Sequence, residues 1–461
     1  MEKRPNIILI TTDQQRSDSL GINGNSMVRS PNLDALAREG VHFANAFVQN
    51  TVCVPSRACL QTGRYTHQHG VTYMESVVDD TPGLPEHEKT FMEMLQENGY
   101  YTGATGKIHM YPAKGFDWQQ LCGGKGHRWL QAQGSSLGPG PLGEVYAAWL
   151  EKKRPGAYEQ IYAARRATEH YLDTGVMDIP LSNDEYVESW IAEESEGFIR
   201  RQAQQEQPFF LWCGFCGPHG PMDPPEPYRS MYAPENVPLP LEVDGCPSWR
   251  EKWSEPLMRK AIAYYYGMVT CIDDHVGQLV RTLKELDIYQ DTLILFVSDH
   301  GEMLGDRGRL GKGVFYDSVM RVPMLIKPPA RIRHLPRTFT GQVEAMSVAP
   351  TILQCAGIAV PENVSATSLL PQITGASSDG AEMVFSEFVS NDKSEVSKCV
   401  RTDDYKYILF FNDGRQEFYN LQNDPLEKDN LALAGREREK MLSLRDALFF
   451  WLARTEWCRS Y

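Results

Sequence analysis

The sequence predicts an α/β fold: a central, mostly parallel sheet between helices, followed by a small C-terminal α+β domain with an antiparallel sheet. Three observations carry this. The runs Asn6 to Thr12, Pro208 to Phe215 and Thr292 to Val297 are apolar and of strand length; they hardly alternate, as expected of strands covered on both faces. Segments with helical periodicity separate them. Past residue 370 the pattern becomes a hairpin with a Gly-containing turn and a terminal amphipathic helix.

The first strand leads directly into Asp13 and Gln14, and in open α/β sheets ligands gather beyond the carboxyl ends of strands. Ser30-Pro31 opens a helix that carries Leu33, Leu36 and Ala37 and stops at Gly40; a strand from Val41 to Val48 follows. In Thr51 to Tyr65, Pro55 reads as an early helix position and Gly63 as the residue that ends the helix. Cys53 then sits at a helix amino end, where unpaired N–H groups and the dipole favour an anion. Arg57, one turn on, is expected to present its donors to whatever oxygen-rich group forms at position 53.

Thr90-Phe-Met-Glu93 is a capping box for a helix ended by Gly99, and Tyr100 to Ala104 is the next strand. Beyond it, Lys107 and His109 are two residues apart, on one side of an extended segment. From Tyr111 to Pro180 the pattern loosens into Gly/Pro runs, aromatics and basic residues, read as an insertion over the active face that sets specificity. Arg128 and Trp129 are its candidate selectors. A helix from Asn183 to about Gln204 precedes the second apolar strand, and the proline-stiffened loop Pro218 to Pro225 fixes His219 beyond it. A long helix from about Pro256 to Leu286 precedes the third, which runs into Ser298-Asp-His-Gly-Glu302 and so places Asp299 and His300. Lys312 lies in a Gly-rich loop, and Val322 to Ile326 is a further strand. The Ser/Gly/Pro/Ala stretch Leu370 to Asp379 marks a boundary between a catalytic unit, 1–370, and a C-terminal unit, 371–461. In the latter, Tyr405 to Phe411 and Gln416 to Leu421 form the hairpin, and a helix from Arg436 to Arg454 packs Met441, Leu444, Leu448 and Leu452 inward.

Composition narrows the function. A net charge of −14 over 461 residues argues against a general nucleic-acid binder, and no apolar run approaches a membrane span. The polar lead into the first strand lacks the pattern of a signal peptide, so the chain as given reads as cytoplasmic. Ten scattered cysteines suit a reducing compartment, and Cys213-x-x-Cys216, with no second pair, reads as a structural coincidence.

Asp13/Gln14, Lys107/His109, His219 and Asp299/His300 each follow an apolar strand, and Cys53/Arg57 opens a helix. Convergence at one end of one sheet makes a site. The oxygens of Asp13, Gln14 and Asp299 favour Ca²⁺, Mg²⁺ or Mn²⁺, and the nitrogen of His300 admits Mn²⁺ or Zn²⁺. One divalent ion is expected, Ca²⁺ first, with Mn²⁺ or Mg²⁺ as alternatives. Lys107 and Lys312 suit anionic oxygens, while His109 and His219 suit proton transfer near neutrality.

Cys53-Val-Pro-Ser-Arg57 with Thr62-Gly-Arg64, Gly106-Lys-x-His109, Pro218-His219, Ser298-Asp-His-Gly301, Lys312, Glu417 to Leu421 and Asn423 to Glu427 together resemble the type I sulfatases. That resemblance covers most of the chain. It implies an alkaline-phosphatase-like fold and hydrolysis of sulfate monoesters of aryl or carbohydrate alcohols. It further implies that a formylglycine-generating maturation enzyme converts Cys53 to formylglycine, whose hydrate would share the metal site with Asp13, Gln14, Asp299 and His300. One hydroxyl would attack sulfur, His219 or Lys312 would protonate the departing alcohol, and His109 would help the second hydroxyl expel sulfate. Lys107, His219 and Lys312 would also contact substrate. The chain departs from many sulfatases at Gln14, where they carry Asp, and at His300, where they carry Asn. Both positions resemble the phosphonate monoester hydrolases, so hydrolysis of phosphonate monoesters or phosphodiesters by the same apparatus is the alternative. The Ser of Cys-x-Pro-Ser-Arg points back to sulfatases. An Asn that often follows the helix is not evident near Tyr73-Met74, leaving one leaving-group contact unassigned.

Overall fold

The computed structural model describes residues 4–73, 83–110, 113–125, 144–334 and 337–456. Its larger sheet has nine strands: β1 (Asn6–Asp13), β2 (Val41–Phe47), β3 (Tyr101–Gly106), β4 (Trp118–Leu121), β5 (Phe209–Pro218), β6 (Thr292–Ser298), β7 (Arg321–Val322), β8 (Met324–Lys327) and β9 (Arg337–Glu344). They lie in the order β4-β3-β5-β1-β6-β8-β2-β7, with β9 beside β2. The run β4-β3-β5-β1-β6 is parallel throughout, whereas β8 is antiparallel to both β6 and β2. Proline explains one difference from the sequence reading: Pro323 has no N–H to give to a ladder, and the single strand expected over Val322 to Ile326 is divided into β7 and β8.

Alternation along β1 shows why its sequence is continuously apolar. Ile7 and Leu9 join one core cluster, with Phe210, Trp212, Leu293 and Leu295 from β5 and β6. Ile8 and Ile10 join another, with Leu211, Cys213, Ile294 and Phe296. Both faces are dry because helices cover both. Helices Pro31–Glu39, Val187–Gln202 and Glu255–Glu285 supply the second cluster; Cys53–Thr62, Phe91–Glu97 and Val348–Cys355 supply the first. Pro31–Glu39 has no side-chain cap from Ser30; its open N–H groups at Asn32 and Leu33 are taken instead by the buried carboxylate of Asp273, at 3.1 and 2.7 Å.

The stretch read as an insertion is partly sheet. Trp118–Leu121 pairs with β3 as the edge strand β4, and helices Glu144–Lys153 and Ala157–Ala167 follow. Trp-Gln-Gln-Leu gave no sign of this, since an edge strand with one partner needs little apolar surface. Cys213 and Cys216 are not partners: the sulfur beside Cys216 Sγ, 3.3 Å away, belongs to Cys122.

Strands β10 (Val384–Val389), β11 (Val396–Arg401), β12 (Tyr405–Phe410) and β13 (Gln416–Asn420) form an antiparallel sheet in sequence order. Val384, Phe388, Cys399, Ile408 and Phe410 from this sheet join the first core cluster. On its other side lies the helix Arg438–Glu456, through Leu444, Leu448 and Trp451. Lys406, wholly buried, bonds Asp317 and Glu427 at 2.6 Å each and so ties the small sheet to the segment after the Gly-rich loop. Among the described residues no helix is long and apolar enough to cross a membrane.

Candidate active site

The order β3-β5-β1-β6 brings four carboxyl strand ends side by side, and each delivers chemistry. Gly106 aligns with Gly214, Asp13 with Pro218 and Thr12 with Ser298, so Lys107, His219, Asp13/Gln14 and Asp299/His300 emerge together. Gly106 is left-handed (φ 74°), and a Cβ there would lie 2.1 Å from the carbonyl oxygen of Gly214; only glycine allows the two strands this approach. From the opposite side comes helix Cys53–Thr62, closed by Gly63 at φ 66°, with Cys53 its first residue.

Asp13 is the hub. Its Oδ2 takes Lys107 Nζ at 2.5 Å and an Arg57 nitrogen at 3.3 Å. Burial alone would push this carboxyl up, but Lys107, with Lys312 and Arg57, holds it well below the usual carboxylate range. Gln14 turns into the left-handed region (φ 68°), held there by its own N–H donating to Asp299 Oδ1 at 3.0 Å and by Tyr265 Oη donating to its carbonyl at 2.8 Å.

His300 Nδ1–H donates to the carbonyl of Gly301 at 2.8 Å. A carbonyl only accepts, so this bond fixes the tautomer and leaves Nε2 as a lone pair. That nitrogen is buried with no hydrogen-bond partner, as is Asp13 Oδ1. They lie 3.9 Å apart, with Asp299 Oδ1 3.6 Å from the nitrogen. Buried polar atoms are seldom left unsatisfied, and an arc of two carboxylates and an imidazole within 4.8 Å of one another is a donor set for a divalent cation. The oxygens fit Ca²⁺, Mg²⁺ or Mn²⁺, and the single nitrogen adds Zn²⁺.

Arg57 is placed differently from expectation. Its Nε donates to Asp299 Oδ2 at 2.8 Å, one terminal nitrogen to the carbonyl of Lys107 at 2.7 Å and the other to Asp13. This guanidinium, wholly buried, braces two carboxylates and a strand end instead of facing residue 53. One helical turn carries a side chain from the buried helix start down to the sheet.

Cys53 is also buried, and Lys312 Nζ donates to its sulfur at 3.2 Å and to Gln14 Oε1 at 3.1 Å. Burial pushes the thiol up, yet the ammonium of Lys312, with that of Lys107 beside it, outweighs this and brings the pKa to about 7. Burial would likewise lower Lys107 and Lys312; Asp13 and Cys53 instead hold both above the usual lysine range.

His109 enters by another route than a strand-like alternation. Its backbone is left-handed (φ 55°), and this turn brings its ring to within 4.8 Å of ligand atoms of Asp13 and Cys53. His219 Nδ1–H donates to the carbonyl of Gly220 at 2.7 Å, leaving Nε2 for chemistry. Burial, then Lys107 for His109 and Lys312 for His219, depress both imidazoles well below their ordinary value, so both are neutral at pH 7.

Glu302 belongs to the site and was not singled out from the sequence. It is buried; its Oε1 accepts from the N–H groups of Leu304, at 2.9 Å, and Gly311, at 2.5 Å, and its Oε2 accepts from Gln14 Nε2. The amide of Gln14 therefore cannot turn over, and its oxygen stays towards Lys312. The only sequence signal was position, at the end of the run that names Asp299 and His300. Gly124 was likewise missed: a Cβ there would lie 3.3 Å from Lys107 Nζ. Arg128, Trp129 and Met74 lie outside the described residues.

The family model described as "Sulfatase" matches residues 5–358. The chain belongs to the sulfatase family. A second model, described as "N-sulphoglucosamine sulphohydrolase, C-terminal", matches residues 305–449. An arylsulfatase of Clostridium perfringens is 30% identical over 96% of this chain and 94% of its own length. An N-acetylglucosamine-6-O-sulfatase of Bacteroides thetaiotaomicron is 25% identical over 96% and 86%. The solved phosphonate monoester hydrolase of Silicibacter pomeroyi superposes with a TM-score of 0.83 at 24% identity, covering 98% of this chain and 96% of that one, a likeness of fold. The alkaline-phosphatase-like sulfatase fold implied by the sequence motifs is the one observed, and as a sulfatase the chain is a sulfuric ester hydrolase.

Proposed function

We propose that this protein hydrolyses sulfate monoesters at the cluster Asp13, Gln14, Asp299, His300, Cys53, Lys107 and Lys312, with one divalent metal ion and a formylglycine made from Cys53. The observation that carries this is the facing pair of unsatisfied buried atoms, Asp13 Oδ1 and His300 Nε2, next to a residue 53 crowded by two ammonium groups. Two cations, Lys107 buried and Lys312 part-buried, around one small side chain favour an anion there.

Asp13, Asp299, His300 and the Gln14 oxygen would hold the ion. Once bound, it would polarise a sulfuryl oxygen and template the reactants. The sulfur of Cys53 marks where the nucleophilic oxygen of the converted residue would stand. Lys107 and Lys312 neutralise the remaining sulfuryl oxygens. Neutral His109 takes a proton from the hydroxyl group of residue 53 that does not attack, and the Nε2 lone pair of His219 accepts a hydrogen bond from the alcohol once it has been protonated. Lys312, kept cationic by Cys53, Asp13 and Asp299, gives the proton to the leaving alcohol. That alcohol is proposed to be a small aryl or saccharide group, in keeping with the two relatives named above.

A second reading, hydrolysis of phosphonate or phosphate esters, is favoured by Gln14 and His300 alone. Matched kinetics of an aryl sulfate and an aryl phosphonate decide between them. The sulfate reading expects the larger kcat/KM for the sulfate, and a phosphonate value well above it would reverse the assignment.

The placement of Glu302 gives an outcome besides activity. Glu302→Gln frees the Gln14 amide to turn its NH₂ towards the ion. Groups that orient metal ligands typically contribute about 10–100-fold in metal affinity, so metal affinity measured by equilibrium dialysis on the inactive apoprotein should fall by that amount. An unchanged affinity would leave Glu302 a purely structural residue.

A further inference from the structure

A cleft of about 450 Å³ leads away from Lys312 between the Gly-rich loop and the small antiparallel sheet. It is attached to the site by construction. Glu387 N–H donates to the carbonyl of Gln49 at 2.9 Å and Gly313 N–H to that of Thr51 at 3.2 Å. Phe388 packs where a Cβ on Gly313 would be, 3.0 Å from it. Strand β10 is thereby anchored next to the nucleophile, and the turn between β10 and β11 becomes the rim of the cleft. At the inner end, Lys312 Nζ is 3.2 Å from Cys53 Sγ. Lys312, proposed above to give the proton to the leaving alcohol, thus belongs both to the site and to the lining of this cleft.

We infer that this cleft receives the alcohol half of the substrate and that it fits a hydroxyl-rich, uncharged saccharide. The inference rests on the sulfatase reading above. Size allows it, since small-molecule sites run from about 300 to 1,000 Å³. Chemistry selects among alcohols. The phenylalanines in the wall, Phe315, Phe388 and Phe410, are at most 9% exposed, and the guanidinium of Arg415 sits 3.3 Å from the centre of the Phe410 ring and covers it. Ile408 is buried and the Tyr316 ring is covered by the Arg307 guanidinium, 4.0 Å from its centre, so an aryl alcohol would find little apolar surface. Three cations, Arg309, Lys312 and Arg415, line the cleft with three carboxylates, Asp392, Glu395 and Glu417. A polyanionic chain gains nothing from that balance, particularly as Lys312 is engaged at residue 53. Side-by-side donors and acceptors do suit vicinal hydroxyls, each of which both gives and accepts a hydrogen bond. Arg415 and Glu417, 2.6 Å apart, are such a pair. The rim is ordered in advance: Asp392 Oδ1 accepts from Ser390 Oγ at 2.6 Å, Ser394 Oγ at 2.7 Å and Ser394 N–H at 3.1 Å.

The cleft thus assigns to the C-terminal sheet the selectivity that the sequence reading gave to residues 111–180. The test uses full-length converted protein, 4-nitrophenyl sulfate, and monosulfates of glucose, galactose and N-acetylglucosamine. Arg415→Ala, Glu417→Gln and the cleft-filling Ser394→Trp should each raise the ratio of KM for the saccharide sulfate to KM for the aryl sulfate at least ten-fold, with the loss in KM and not in kcat. Turnover of the aryl ester reports that each variant is folded. Equal changes on both esters, or an aryl sulfate turned over while no saccharide sulfate is, would overturn the cleft assignment and leave the sulfatase reading standing. Failure to turn over either sulfate would instead overturn the sulfatase reading itself, and the cleft assignment with it.

Discussion

Asp299→Ala is expected to yield a protein that no longer retains a stoichiometric divalent ion and hydrolyses an aryl sulfate at least about a thousand-fold more slowly. A metal acting as Lewis acid contributes several kcal/mol to the barrier, and each ~1.4 kcal/mol is a factor of ten. Metal loss must be separated from misfolding, because Asp299 also holds the wholly buried Arg57 at 2.8 Å. Removing one partner of a buried pair costs about 3–5 kcal/mol, so the alanine variant should melt earlier as well. Asp299→Asn distinguishes the two effects. Its side-chain oxygen can still accept from Arg57 Nε and the volume is kept, so stability should largely return while the metal does not. Metal analysis after extensive dialysis, alongside thermal melts, checks both. Full occupancy in either variant would remove Asp299 from the ligand set.

Cys53→Ala should abolish turnover, with a loss of at least about 10⁴-fold, the order seen when a hydrolase loses its covalent nucleophile. A small buried side chain is trimmed by one atom at the first position of a helix whose other contacts are intact, so the fold and the metal site should persist. A thiolate is no substitute. It could attack sulfur, but would leave a thiosulfate-type ester with no second hydroxyl to eliminate sulfate. A geminal diol collapses to the aldehyde and releases it. Protein made in cells lacking a maturation enzyme should therefore resemble Cys53→Ala in activity while keeping its sulfur. Retained activity in the alanine variant would shift the chemistry to a metal-activated water.

Much of the site was legible because its residues directly adjoin apolar strands. β1, β5 and β6 read clearly as strands buried on both faces, and the polar residues at their carboxyl ends have nowhere to go except the crevice. Cys53 was legible through Pro55 and Gly63, which fix the ends of its helix. What escaped depends on contacts between distant parts of the chain. Glu302 matters because it meets Gln14, and nothing local marks that. Arg57 shares a helix face with Cys53, yet three acceptors on the sheet, from Asp13, Lys107 and Asp299, claim its donors. His109 reaches the site through a left-handed backbone, which the local sequence does not announce. β4 and β9 lacked the apolar content of the central strands, since edge position relaxes the demand for burial on both faces. The cleft beside Lys312 is assembled from three separate segments, and of its lining only Lys312 and Glu417 fall in motifs read from the sequence.

The central claim is that residue 53 is not a cysteine in the active enzyme, and one peptide tests it. Trypsin cuts after Arg38 and Arg57, releasing Glu39 to Arg57 with Cys53 as its only sulfur-bearing residue. Mass spectrometry of active protein should find that peptide without its thiol sulfur, unreactive with iodoacetamide after denaturation and able to form a hydrazone. Active protein in which this peptide is quantitatively alkylated would contradict the formylglycine mechanism.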